Sequence, residues 1–185
     1  MKNFEQFCFQ YVKKIDVAKI KELCLNLSQK DWLENSSRQK TFELHSFTET
    51  FFLADYSLDW LLNTPYEGVL LRPSSELWQE IIPIVKFLEK LQNGRVGRVI
   101  LPKLKSKGYI LPHVDGGDYL VNSRRYHIPI ITNEQVFFSV GNECLNMKEG
   151  EIWEINNTMI HGVENLSNQD RIHLMIDIIP NKFLQ

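Results

Sequence analysis

Beyond Arg95 the chain is cut into short alternating segments at intervals near ten residues, and this rhythm limits the possible folds more than any other feature. The segments are RVGRVILPKL, GYILPHVD, RRYHIPIIT, VFFSVGN, ECLNMK, GEIWEIN, GVENLS and RIHLMIDII. Strands this short, separated by turn residues, predict an antiparallel barrel or sandwich. The first half has a different character. Phe7, Phe9 and Tyr11 alternate against Cys8, Gln10 and Val12, which predicts a strand over 7–14. Asp16 is placed to cap a helix running to about Lys30, with Val17, Ile20, Leu23, Cys24 and Leu27 on one face. The β-branched and aromatic stretch 40–55 predicts one or two strands and holds His45, read as a strand residue. Ser74 and Ser75 precede a second amphipathic helix, ELWQEIIPIVKFLEKLQ, in which Pro83 should fall early or form a kink, and Asn93-Gly94 ends it.

Helices first and strands after predict a mainly β fold with flanking α. The expected architecture is a double-stranded β-helix, or cupin-like jelly roll, with N-terminal helices buttressing one sheet. One domain spans 1–185, with helices and edge strands in 1–94 and the jelly-roll core in 95–180. The mouth of such a barrel is a natural place for a ligand or metal.

Composition excludes several classes. A net charge of −2 gives no basic field for nucleic acid. No apolar run is long enough to span a bilayer, and the N-terminus is too interrupted for a signal-peptide core. Cys8, Cys24 and Cys144 have no C-x-x-C spacing, so inert thiols in a cytoplasmic protein are expected rather than a disulfide framework or zinc knuckle.

Within the barrel segments, His113-Val-Asp115 is followed by His161 and then by Arg171. Residues two apart on a strand share a face, so His113 and Asp115 should point together into the mouth, where Gly116 and Gly117 end the strand. Two imidazoles and a carboxylate can cap one face of Fe(II) and leave positions for a chelating 2-oxo acid and O2. The far carboxylate of 2-oxoglutarate then needs a cation in a dry pocket, and the planar fork of an arginine suits both its oxygens. Taken singly, His161 has an ordinary explanation as a turn histidine and Arg171 as a surface arginine. Their joint occurrence in this order singles out the metal reading.

Strand periodicity extends the set. In RIHLMID, Arg171, His173 and Met175 share one face, and Ile172, Leu174 and Ile176 share the other. The first group should line the pocket and the second should pack against the helices, with His173 open to either a pocket or a core role. In RRYHIPIIT, Arg125 and His127 share a face and read as pocket residues for the carboxylates of cosubstrate or substrate. One of the pair could equally lie outside the pocket, because a buried unpaired arginine is costly. The stretch 55–72 reads as a loop able to cover the mouth, Arg72 as a surface ion-pair residue, the tryptophans as core, and KLKSK at 103–107 as a solvated strand edge.

The segments LPHVDGG, RRYHIPIITN and GEIWEINNTMIHGVENLSNQDRIHLMID resemble the aspartyl/asparaginyl β-hydroxylase family of Fe(II)/2-oxoglutarate oxygenases, with its proline-hydroxylase-like members. The resemblance implies iron ligation by His113, Asp115 and His161, and 2-oxoglutarate held by Arg171 with His127 nearby. It also implies a position near the bound acids for Arg125. The namesake hydroxylases carry glycine in place of Asp115, so this chain is similar to a three-ligand branch. Halogenases also replace this carboxylate, and its presence points to hydroxylation or desaturation. Fe(II), 2-oxoglutarate and O2 are the expected cofactors. The expected substrate is an amino acid or an amino-acid residue of a peptide or protein. A cupin-like metalloenzyme without 2-oxoglutarate and a non-catalytic jelly-roll binding protein are the alternatives left by the residues alone.

Overall fold

The computed structural model describes residues 7–34, 46–56 and 68–183. Strand β1 (Phe9–Lys14) is followed by helices α1 (Ala18–Leu25) and α2 (Gln29–Leu33), then by β2 (Thr48–Tyr56), β3 (Gly68–Leu70) and helix α3 (Glu76–Gln92). The barrel strands follow: β4 (Gly94–Leu104), β5 (Tyr109–His113), β6 (Arg124–Ile131), β7 (Val136–Val140), β8 (Glu143–Leu145), β9 (Glu151–Ile155), β10 (His161–Asn165) and β11 (Arg171–Pro180), with a short helix α4 (Asp118–Asn122) between β5 and β6. One sheet has the order β1-β9-β6-β11-β4-β2-β3 and the other β5-β10-β7-β8. From β4 onward the chain changes sheet at every connection except β7–β8, and all pairings are antiparallel. That alternation makes the double-stranded β-helix expected from the strand rhythm.

The helices close the outer face of the larger sheet. Ser75 caps α3 by accepting a hydrogen bond from the Trp78 N–H (3.1 Å), and Asn93 ends the helix in the left-handed region. Leu77, Trp78, Ile81, Val85 and Leu88 form its buried stripe. They pack with Leu101 of β4, Tyr126, Ile128 and Ile130 of β6, and Ile172, Leu174, Ile176 and Ile178 of β11. Each fully buried Leu or Ile in this layer contributes about 1.5–3 kcal/mol. Since β11 lies between β6 and β4, all ten of its residues are buried. Its aliphatic residues meet the helices, so Arg171, His173, Met175 and Asp177 face the space between the sheets.

Three local expectations change. The single helix to Lys30 is two helices, because Ser28 and Asp31 form a reciprocal capping box that starts a new one. The N-cap of the first is Val17 rather than Asp16, although Asp16 Oδ1 accepts a hydrogen bond from the Ala18 N–H (2.9 Å). Helix α3 carries Pro83 inside its span. KLKSK is not an edge at its start, because β2 pairs with β4 and Lys103 is buried. Its ammonium pairs with Glu49 and lies over the Trp32 ring. Burial alone would raise the Glu49 pKa, but Lys103 and Lys105 outweigh it and bring it down to about 2. His45 and most of the proposed covering loop lie outside the described residues, and 68–70 pair with β2 as a strand. Arg72 pairs with Glu34 and stacks on Phe51. Cys8, Cys24 and Cys144 are free thiols. No helix of the described residues is long and apolar enough to cross a membrane.

Leu174 has no exposed surface and joins the helical layer to the central strand. Leu174→Ala should cost about 2–5 kcal/mol in chemical denaturation. A loss below about 1 kcal/mol would show that the layer collapses readily around the deletion.

Candidate functional site

His113 ends β5 and His161 begins β10, and the two are register partners in the smaller sheet. Sheet pairing alone therefore brings together residues far apart in sequence, with ring centroids 4.3 Å apart. Asp115 arrives differently from the expectation, because β5 has already ended. Its N–H donates to the Asn157 carbonyl (3.2 Å), which folds the turn back toward the strand ends. His113 Nε2 is then 3.8 Å from Asp115 Oδ1, and His161 Nε2 is 3.9 Å from Oδ2. One donor atom from each residue lies within 4.8 Å of the others.

The imidazoles are held in a metal-ready tautomer. His113 Nδ1 lies 2.8 Å from the Leu111 carbonyl, and His161 Nδ1 lies 2.9 Å from that of Met159. A carbonyl only accepts, so each Nδ1 carries the hydrogen and each Nε2 presents its lone pair to the cluster. Burial lowers the His161 pKa, with Asp115 pulling partly the other way, and this favours the neutral imidazole a metal needs. For Asp115, burial would raise the pKa, but Arg125, with the two histidines, outweighs it and holds the carboxyl below its ordinary value.

Arg171 lies on the inner face of β11, 1% exposed. Among the described residues no carboxylate pairs with it, and its Nε has no hydrogen-bond partner. One Nη donates to His173 Nδ1, and the guanidinium lies 5.9 Å from the Phe138 ring centre. Burial without a counter-ion pushes its pKa down to about 9. His127 and His173 are buried beside it with pKa values pushed well down, first by burial and then by the Arg171 charge, so both are neutral. His127 Nδ1 and His173 Nε2 are also without partners. Arg171, His127, Phe138, His113 and His161 line one pocket, with Arg125 at its wall.

Arg125 lies on the inner face with His127, as strand periodicity predicts, yet its guanidinium is already engaged. Nε donates to Asp177 Oδ1 (2.8 Å) and Nη2 to Asp177 Oδ2 (2.9 Å), while Nη1 bonds Asp115 Oδ2. The acid-binding role expected for Arg125 is thus filled by two carboxylates of its own chain. Sequence reasoning passed over Asp177 and Asn157. Asp177 was legible, since the period-two set of Arg171, His173 and Met175 reaches it in one further step. Asn157 has no such signal, because its side-chain bonds to Leu120 O (2.9 Å) and Asp115 (3.4 Å) depend on how two turns meet.

The cluster suits a divalent metal, having two imidazoles and one carboxylate, all oriented by the chain. The unpaired buried guanidinium in the same pocket suits the distant carboxylate of a dicarboxylic acid. Comparison with known proteins bears on this arrangement. The family model for aspartyl/asparaginyl beta-hydroxylase matches residues 22–180. The chain belongs to this family. Membership places it in the Fe(II)/2-oxoglutarate oxygenase class, whose cofactors are iron, 2-oxoglutarate and dioxygen.

Solved structures share the fold at low identity. A Pseudomonas putida prolyl-4-hydroxylase matches with a TM-score of 0.63 and 8% identity, covering 96% of this chain and 95% of that one. A Trichoplax adhaerens prolyl hydroxylase, in complex with a hypoxia inducible factor oxygen degradation domain peptide fragment, gives 0.61 and 8%, covering 97% and 87%. A 2OG-Fe(II) oxygenase family oxidoreductase from Burkholderia pseudomallei gives 0.54 and 11%, covering 72% of this chain. This chain spans 66% of that protein's length.

A buried cation with no partner costs stability that a ligand can return. Arg171→Met should therefore leave the unliganded protein as stable as the parent or more so. It should also abolish the stabilisation that 2-oxoglutarate gives the parent in the presence of Mn(II), about 2.7 kcal/mol at one hundred times Kd. Thermal melts with and without 2-oxoglutarate measure both. A variant that keeps the full 2-oxoglutarate shift would remove Arg171 from the cosubstrate site.

Proposed function

We propose that the chain is a hydroxylase in which His113, Asp115 and His161 hold Fe(II) and Arg171 holds the far carboxylate of 2-oxoglutarate. The observation that carries this reading is the Arg171 guanidinium, buried and without a counter-ion in the pocket that His113 and His161 line. Iron and 2-oxoglutarate, when bound, supply the activation of O2 that breaks an unactivated C–H bond, with succinate and CO2 as co-products.

The chain's own residues bind, orient and exclude water. Leu111 O and Met159 O fix the tautomers of the two imidazoles. His173 accepts from one Nη of Arg171, leaving Nε for the ligand. Neutral His127 brings a ring nitrogen to the same wall without adding charge, so the cosubstrate meets one cation and uncharged donors. Phe138 and Met175 keep this end of the pocket dry, which strengthens the pairing of guanidinium and carboxylate.

The substrate class we favour is an uncharged residue within a peptide or protein. Arg125 is taken by Asp115 and Asp177, and Arg171 is needed by the cosubstrate, so neither cation of the pocket remains for a substrate carboxylate. Leu111, Val114 and Ile160 flank the metal-binding residues as exposed apolar side chains and offer a neutral rim to a passing chain. A peptide is also what the Trichoplax relative holds in its complex.

Anaerobic addition of Fe(II) and 2-oxoglutarate should produce a weak visible charge-transfer band. Admitting O2 should then form succinate, and a peptide pool should show products heavier by one oxygen. His161→Ala should lose the band. Absence of both band and succinate in the parent protein would overturn the oxygenase reading. Oxygen gained by free amino acids but by no peptide would overturn the substrate class alone.

A further inference from the structure

Asp177 has no exposed surface, although it is an acidic residue, the seventh of a ten-residue buried strand. It stands directly opposite Arg125 in the β6–β11 register. Two parallel hydrogen bonds join the pair, at 2.8 and 2.9 Å, and the third arm of the guanidinium bonds Asp115 Oδ2. Tyr119 of α4 directs its hydroxyl at Asp177 Oδ2 (3.5 Å). That approach passes over Gly97, where a Cβ would lie 2.4 Å from the Tyr119 oxygen. The carboxylate is thus bonded from two elements, β6 and α4, while Arg98 of β4, itself paired with Asp55, faces Asp177 across the β4–β11 register.

We infer that Asp177, acting through Arg125, is a positioning residue: it offsets the guanidinium charge, so that Arg125 aims the Asp115 carboxylate at the metal without competing with the metal for it. This inference rests on the reading of His113, Asp115 and His161 as metal ligands. Arg125 serves two needs that conflict. Its Nη1 holds Asp115 Oδ2 and thereby aims the carboxylate, but a full positive charge beside a divalent ion repels it and competes for the same anion. With Asp177 bound bidentately to the opposite edge, Arg125 and Asp177 are together neutral. The orienting hydrogen bond survives, and the charge cost is cancelled from behind. A purely structural ion pair on this strand would need neither the third arm on Asp115 nor a register that places the pair next to it.

Co(II) binding to the apoprotein, followed by its visible d–d spectrum, tests this without cosubstrate or turnover. Asp177→Asn keeps the shape and removes the charge. It should weaken Co(II) affinity about 10–100-fold and alter the d–d spectrum. Removing the cation as well, in Asp177→Asn/Arg125→Gln, should restore affinity at least several-fold over the single variant, since two changes that act through charge balance do not add. An affinity for Asp177→Asn within twofold of the parent, or a double variant weaker than the single one, overturns the inference. If circular dichroism shows that the single variant does not fold, the charge-neutral double variant decides. Affinity within about tenfold of the parent supports the inference, and any larger loss overturns it. A parent protein that binds no Co(II) overturns the metal centre itself and this inference with it.

Discussion

Strand β11 carries two incompatible environments on one backbone, and the rest of the molecule is arranged around keeping them apart. Its ten residues are all buried, and the two-residue period of a strand divides Arg171 to Ile178 between its two faces. Ile172, Leu174, Ile176 and Ile178 meet the helices, while Arg171, His173 and Asp177 meet the inside of the barrel. A slip of one residue would place charges in the helical layer and isoleucines in the pocket, so the register is fixed by both sides at once. The helices are what make this possible. By covering the outer face of the larger sheet they supply the apolar burial that lets its inner face carry cations and imidazoles.

That inner face is costly, and its costs are met unevenly. A charge taken out of water without a partner is destabilising, whereas a well-bonded pair comes close to balance. Arg125 and Asp177 follow the second course and contribute a rigid wall. Arg171 follows the first, and His127 and His173 are held neutral beside it. The aliphatic layer behind the strand has to offset this deficit in the folded chain. The pocket is therefore preorganised for an anion in a way that the folded chain alone does not reward.

Much of this was legible in the sequence because it depends on periods and order. Eight strand segments, the two faces of β6 and β11, and the meeting of His113 with His161 follow from alternation and jelly-roll connectivity. The start of α3 at Ser75 and its end at Asn93 follow from capping chemistry. What was not legible depends on how separate turns and strands dock. Asp115 reaches the cluster through a bond to Asn157 rather than by sharing a strand with His113. Lys103 is buried because β2 joins β4, and no feature of KLKSK announces a neighbour that begins fifty-odd residues earlier in the chain. The break between α1 and α2 was visible as a serine followed three residues on by an aspartate, a signal outweighed by the apolar stripe running across it.

Two inner-face arginines, Arg125 and Arg171, show where pattern reading has to stop. Both lie on central strands of the same sheet, both are buried, and both face the same pocket. Periodicity assigns them one role. Their partners assign them opposite ones: Arg125 lies between two carboxylates, while Arg171 has a histidine that can only accept from it and an aromatic ring that bears no charge. A cation facing a cavity is therefore not by itself a ligand site. Only the cation left without a counter-ion has electrostatic attraction to offer a ligand, and in this barrel that difference turns on one aspartate six positions along the strand from the arginine it leaves alone.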